Sequence, residues 1–423
     1  MTADLGSQIS LLWTLPFAGL LLSIAFLPLA APKFWESNRN KAVIAALFGV
    51  PTALYIGGMD IHELSHVGME YFSFIVLLAA LFVISGGIHL EGDIEATPSA
   101  NVLFLLTGAV LANFIGTTGA SMLLIRPILN TNKERRNTAH IPVFFIFLVS
   151  NIGGALLPLG DPPLFLGYLE GVPFFWTLKL FPIWMFTLGL LLTVFYAIDR
   201  WAYSRESQEA IRRDMSNIQP LKLKGGMNFV WLLGVLLATI FAPAPWRELI
   251  LLLMISLSWS CTPHEIRKKN AFSFGPMVEV AVLFAGIFSA MIPCLLILKA
   301  RGGSMGITKP WQFFWASGGL SSFLDNAPTY LTYLSLGQGV THSMNLPQDV
   351  IVRGGGIWET YLKAVSVGSV FMGANTYIGN APNFMVKAIS DERRFKTPSF
   401  PAYMLWSGTI LIPAFLLVTL IFF

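Results

Sequence analysis

Apolar runs of about twenty residues recur along the whole chain, and such runs read as spanning helices. In hydrocarbon every backbone N–H and C=O must find a partner within the protein, which restricts a spanning chain to helices or closed barrels. The runs fall at 11–31, 41–58, 72–90, 141–169, 173–199, 227–244, 247–262, 276–298, 356–386 and 400–422, which predicts ten spans. Composition agrees: 55% of residues are hydrophobic and 12% charged, outside the soluble globular range. The N-terminus lacks the basic region of a signal peptide, so Leu11–Ala30 is read as a retained span. Cys261 and Cys294 lie in or beside apolar segments and support neither a disulfide nor a Cys-based metal or redox site. No cofactor is expected.

Two of the runs are interrupted. Ser150-Asn151-Ile152-Gly153-Gly154 leads to Gly160-Asp161-Pro162-Pro163, and Gly373-Ala374-Asn375-Thr376 leads to Gly379-Asn380-Ala381-Pro382-Asn383. Broken backbone at membrane depth is tolerated only inside protein or along an aqueous cavity. Paired interruptions in two halves of a membrane protein point to a transporter's binding site. Two further apolar stretches, 99–125 and 311–335, are interrupted at Gly116-Thr117-Thr118-Gly119 and Asp325-Asn326-Ala327-Pro328. Neither holds two full spans, and both are read as re-entrant hairpins.

Charge sets the sidedness, because cytoplasmic loops carry the excess of Lys and Arg. With both termini outside, inside segments hold twenty of the 27 basic residues, including Arg126, Arg135, Lys224 and Arg393. The same sorting by loop argues against a nucleic-acid partner, despite a formal charge of +4. The first five spans then begin outside and the second five inside. The expected fold is an all-α polytopic membrane protein of two inverted five-span repeats, 1–199 and 227–423, joined by a basic cytoplasmic linker at 200–226. Each repeat carries one hairpin and one broken span. Internal matches keep the same order in both halves, among them Asn113-Phe114-Ile115-Gly116 with Ser322-Phe323-Leu324-Asp325.

These motifs resemble the ion transporter superfamily, in its ArsB/NhaD and citrate-transporter-like (CitMHS-like) branch. Ser150-Asn151-Ile152-Gly153-Gly154 with Gly160-Asp161-Pro162-Pro163 is similar to the first-half signature of NhaD-type sodium/proton antiporters. Leu324-Asp325-Asn326-Ala327-Pro328 is similar to that family's second-half hairpin. The resemblance implies a multi-pass carrier of a bacterial-type inner membrane that exchanges sodium or lithium for protons, commonly as a homodimer. It also implies Ser-Asn-Thr sodium ligands at hairpin tips. Ser150-Asn151 and Asn375-Thr376 keep part of such a triplet, but on the broken spans.

A small cation needs oxygen ligands in place of its water, supplied by unwound carbonyls, Asn oxygens, hydroxyls and carboxylates. The candidates are Asp161, Asp325, Ser150, Asn151, Thr117, Thr118, Asn326, Asn375, Thr376 and Asn380. Asp161 and Asp325 come first, since intramembrane acids are rare and functional by default; the plainer reading makes each a turn or helix cap. Glu279 reads as a first-turn acid, and Glu359 with Lys363 as an i, i+4 ion pair; a proton relay is the sharper reading of all three. Uptake of citrate or another organic anion, or arsenite extrusion, is the alternative activity. No Arg is expected near either broken span to pair with a carboxylate. His62-Glu63-Leu64-Ser65-His66 satisfies H-E-x-x-H, the zinc-protease pattern. It falls in a short acidic connection read as a solvated loop without a third ligand. An enzyme is not expected.

Overall fold

The computed structural model describes residues 2–423, and these are helical almost throughout. Seven helical stretches are long and apolar enough to cross a membrane: Leu11–Pro28, Asn38–Met59, Ile61–Ser85, Pro98–Thr131, Phe174–Tyr203, Gly275–Ser304 and Phe400–Phe422. Their outer faces leave Leu54, Leu405 and Leu420 exposed, as lipid-facing side chains are. The chain is a polytopic helical membrane protein.

The helices pack as two groups. Leu15–Ala30, Asn38–Met59, Ile61–Ser85, Asn228–Phe241, Trp246–Cys261 and Gly275–Arg301 form one. Pro98–Thr131, His140–Leu148, Phe181–Tyr203, Pro310–Ser321, Glu359–Met372, Ala381–Glu392 and Phe400–Phe422 form the other. They meet where Ile61–Ser85 runs beside Pro98–Thr131 and Pro162–Leu169, and where Gly275–Arg301 runs beside Asn326–Ser343.

The stretch Pro98–Thr131 is helical along its length yet doubles back at Gly116, whose φ of 75° and ψ of 154° are open to a residue without Cβ. The Asn101 and Asn132 side chains bond each other at 2.9 and 2.7 Å. A straight helix would hold those residues about 47 Å apart at 1.5 Å per residue. A buried clamp secures the two ends. Asp199 accepts from Asn101 at 2.9 Å, Arg135 at 2.5 Å and His140 Nε2 at 2.8 Å. Pro310–Ser321 and Asn326–Ser343 fold against each other in the same way about Asp325, which brings the Phe313 ring beside Gly337.

Both interrupted spans unwind and restart. The first passes from His140–Leu148 through a 3₁₀ turn at Ile152–Ala155 to Pro162–Leu169. The second passes from Glu359–Met372 through Gly373–Asn375 to Ala381–Glu392. The crossings are equally tight: a Cβ on Gly160 would strike the Gly154 carbonyl, and one on Gly379 the Gly373 carbonyl. Proline opens each restarted helix, where its missing N–H costs nothing.

One expectation needs correcting. His62-Glu63-Leu64-Ser65-His66 is no loop but the opening turns of the helix Ile61–Ser85. Asp60 starts that helix by accepting from the N–H of His62 at 2.9 Å and of Glu63 at 3.3 Å, and hydropathy alone misses a polar first turn. The stretch 200–226, read as a linker, carries secondary structure of its own. It holds the helix Gln208–Ser216 and the strand Gln219–Lys224, which pairs antiparallel with His89–Asp93. There Lys224 and Lys269, both hydrogen-bonded to it, draw the half-exposed Glu91 carboxyl down to about 2.

Candidate functional site

Four half-helices start at the centre of the second helix group and run outward from it. They follow Gly116 and Asp325 at the two hairpin turns, and Asp161 and Asn380 at the two restarts. Helix N-termini expose unpaired N–H groups and a partial positive charge, so their convergence favours an anion. Asp161 lies among them, fully buried. Its Oδ1 accepts from Thr117 Oγ1 at 2.9 Å and Asn380 Nδ2 at 3.3 Å, and its Oδ2 from Asn326 Nδ2 at 2.5 Å. Asp161 stands at the N-cap position of Pro162–Leu169, but its side chain makes no capping bond. Its acceptors serve the other three elements instead.

Around this centre the other candidates form a network. Asn380 also donates to the Ser150 carbonyl at 3.1 Å and to Asn151 Oδ1 at 3.2 Å. Ser150 pairs with Ser121 at 2.8 Å. Asn375 donates to Ser322 Oγ at 2.9 Å, and Thr376 to the Ser322 carbonyl at 2.5 Å, joining the second broken span to the second hairpin. Thr118 lines the adjoining cavity without a direct bond to Asp161. Asp325 caps its own helix, accepting from Ala327 N at 3.0 Å, so the group the second hairpin sends to Asp161 is Asn326.

Three other charged candidates stand apart and do not line the cavity. Glu279 pairs with Lys41 at 2.8 Å, and Glu359 with both Lys363 and Lys179 at 2.8 Å. The i, i+4 pair is present as expected.

Sequence reasoning missed two residues. Asn383, three positions past Asn380, accepts from Asn151 at 2.7 Å and donates to the Gly373 and Thr376 carbonyls at 2.9 Å. Its signal was a third Asn in one short interrupted stretch. The second is Arg126. A cavity of about 320 Å³ reaches Asp161, and its wall includes Gly116, Thr117, Phe165, Met385 and Arg126. Arg126 Nη1 is buried and has no hydrogen-bond partner among the described residues. The expectation that no Arg lies near either broken span is therefore corrected. Arg126, read as a loop charge, sits on the second arm of the first hairpin and shares the cavity wall with Met385 and Ile389 of the helix Ala381–Glu392.

No curated protein aligns significantly with the chain. The family model described as "Putative citrate transport" matches residues 6–423, nearly the whole length. By that match over nearly its whole length, the chain belongs to this "Putative citrate transport" family.

Proposed function

We propose that the protein is a secondary carrier for citrate or a similar small organic anion, bound in the cavity between Asp161 and Arg126. The observation that carries this reading is the buried, unpartnered Nη1 of Arg126 on the cavity wall. A guanidinium presents parallel N–H donors that match a carboxylate, and it stays charged when desolvated. An unpaired N–H at low dielectric is costly, so a site that keeps one favours a bound anion. The half-helix N-termini add partial positive charge around the cavity. Radiolabelled citrate uptake into membrane vesicles tests the reading directly. Absence of uptake of citrate and of other di- and tricarboxylates, under every ion gradient applied, would overturn it.

The architecture is read as two inverted repeats, 1–199 and 227–423, with hairpins that enter and leave on the same face. Paired contacts support this. Asn113 donates to the Gly153 carbonyl at 2.8 Å, and its counterpart Ser322 to the Met372 carbonyl at 3.1 Å. Asp161 and Asn380 share one backbone conformation, with φ of −142° and −152° and ψ of 142° in both. With the basic segments inside, the cavity faces the cytoplasm, since Asn270 and Ser273 line it and directly follow Arg267, Lys268 and Lys269 in sequence. Both termini then lie outside a bacterial-type inner membrane, and a homodimer would form through the first helix group.

Sodium/proton exchange is the second reading. It rests on Asp161, a buried carboxylate among Thr117, Asn326 and Asn380 where cation and proton could compete. In that case sodium would dissipate a pH gradient in vesicles without citrate.

A further inference from the structure

At the end of the group interface opposite the cavity, a cluster of charges joins the two helix groups. The cavity is lined by Leu77, Leu81 and Phe82 near the end of Ile61–Ser85, and by Pro276 and Val280 at the start of Gly275–Arg301. The charges sit at the other ends of the same helices: Glu63, His66 and Glu70 on the first and Lys299 on the second. Facing them from the other group are Glu170, which closes Pro162–Leu169, and Arg353, in the turn between the strands Val350–Val352 and Gly355–Ile357.

Arg353 Nη2 meets Glu63 Oε2 at 2.6 Å and its Nη1 lies 3.8 Å from Glu70, which also holds His66 Nδ1 at 3.2 Å. Lys299 Nζ lies 3.6 Å from Glu170 and donates to the Arg353 carbonyl at 3.3 Å. The Arg353 N–H donates to the Glu170 carbonyl at 2.7 Å. Glu70 and Glu170 are buried, so these pairs are far less screened than surface pairs. Every ion pair among them except His66–Glu70 runs from one helix group to the other.

We infer that Glu63, Glu70, Glu170, Lys299 and Arg353 form an ion lock that seals this end of the interface while the cavity is open at the other. Alternating access requires the seal to open as the cavity closes. The lock stabilises the state seen here and must break in each cycle. This inference rests on the carrier reading above, and it gives the H-E-x-x-H segment its place: Glu63 and His66 face a lock, not a metal.

The test uses purified full-length protein with Cys261→Ser and Cys294→Ser, and Met122→Cys as a single reporter on the cavity wall. Maleimide labels the reporter when the cavity is open. With Arg353→Gln the population shifts away from the open-cavity state, and the labelling rate is expected to fall by roughly tenfold. In a second variant, Glu63→Cys with Arg353→Cys on the Cys261→Ser, Cys294→Ser background and without the Met122 reporter, a short bis-methanethiosulfonate reagent replaces the ion pair by a covalent bridge. Bridging is expected to stop transport, and reductant to restore it. A labelling rate unchanged by Arg353→Gln, or transport that continues with the bridge in place, would overturn the lock. Labelling needs no substrate, so an error about citrate would leave it intact.

Discussion

Asn326 of the second hairpin donates a 2.5 Å hydrogen bond to Asp161 of the first broken span, 165 positions earlier in the chain. This contact joins the second hairpin to the first broken span at the centre of the second helix group. An amide on one side of a buried carboxylate and a threonine hydroxyl on the other leave Asp161 satisfied by groups that move with three different elements. Asp161→Asn keeps the size and removes the charge. We expect it to abolish citrate uptake while leaving the protein inserted and monodisperse in detergent. Asn326→Ala leaves Oδ2 without its donor and is expected to lower stability by about 1–3 kcal/mol. Thermal unfolding in detergent measures this loss, and parental uptake by Asp161→Asn would reduce the carboxylate to a structural role.

Arg126→Gln removes the charge from the cavity wall and retains a donor. A lost charge-assisted bond of about 1.5–3 kcal/mol corresponds to roughly a ten- to hundredfold rise in KM for citrate. Arg126→Lys keeps the charge but not the paired N–H geometry and is expected to fall between the two. Concentration-dependent uptake separates them. A KM unchanged in both variants would show that the anion does not reach Arg126.

Several of the apolar runs were legible as long helices because hydropathy reports directly on hydrocarbon. The runs at 41–58, 276–298 and 400–422 lie within the helices Asn38–Met59, Gly275–Arg301 and Phe400–Phe422. Gly116 and Asp325 stand where the chain turns back, as the interruptions suggested. Side-chain use was harder to read. Asp161 and Asp325 look alike in sequence, each followed closely by proline, yet one serves other elements and the other caps its own helix. That difference depends on which elements approach, and no local signal carries it. Arg126 was misplaced for a related reason: its charge looked like a loop marker, while its helix turns it into a cavity.

Gly116→Ala should disturb the first hairpin, because φ of 75° with ψ of 154° is a region essentially reserved for glycine and costs another residue about 1–3 kcal/mol. Thr117 N donates to the Gly160 carbonyl at 2.8 Å just beyond that turn, so the strain reaches Asp161 directly. Uptake is expected to fall more steeply than thermal stability. A control such as Gly189→Ala, where added Cβ meets nothing within contact range, should leave both unchanged. Equal effects from the two substitutions would remove the turn from the mechanism.

The clamp at the base of the first hairpin predicts a different pattern. Asp199 is wholly buried and holds Asn101, Arg135 and His140, so both arms and the following helix are tied to Phe181–Tyr203. Asp199→Ala strands the Arg135 guanidinium without its carboxylate, a buried charge worth about 3–5 kcal/mol when a partner is removed. Asp199→Asn keeps an acceptor for Arg135 and should cost less. Neither change touches the cavity wall, so protein that folds should retain the parental KM while melting earlier. Thermal unfolding and uptake measured on the same preparation decide the matter. A raised KM with unchanged melting would place Asp199 in substrate handling and not in the scaffold of the hairpin.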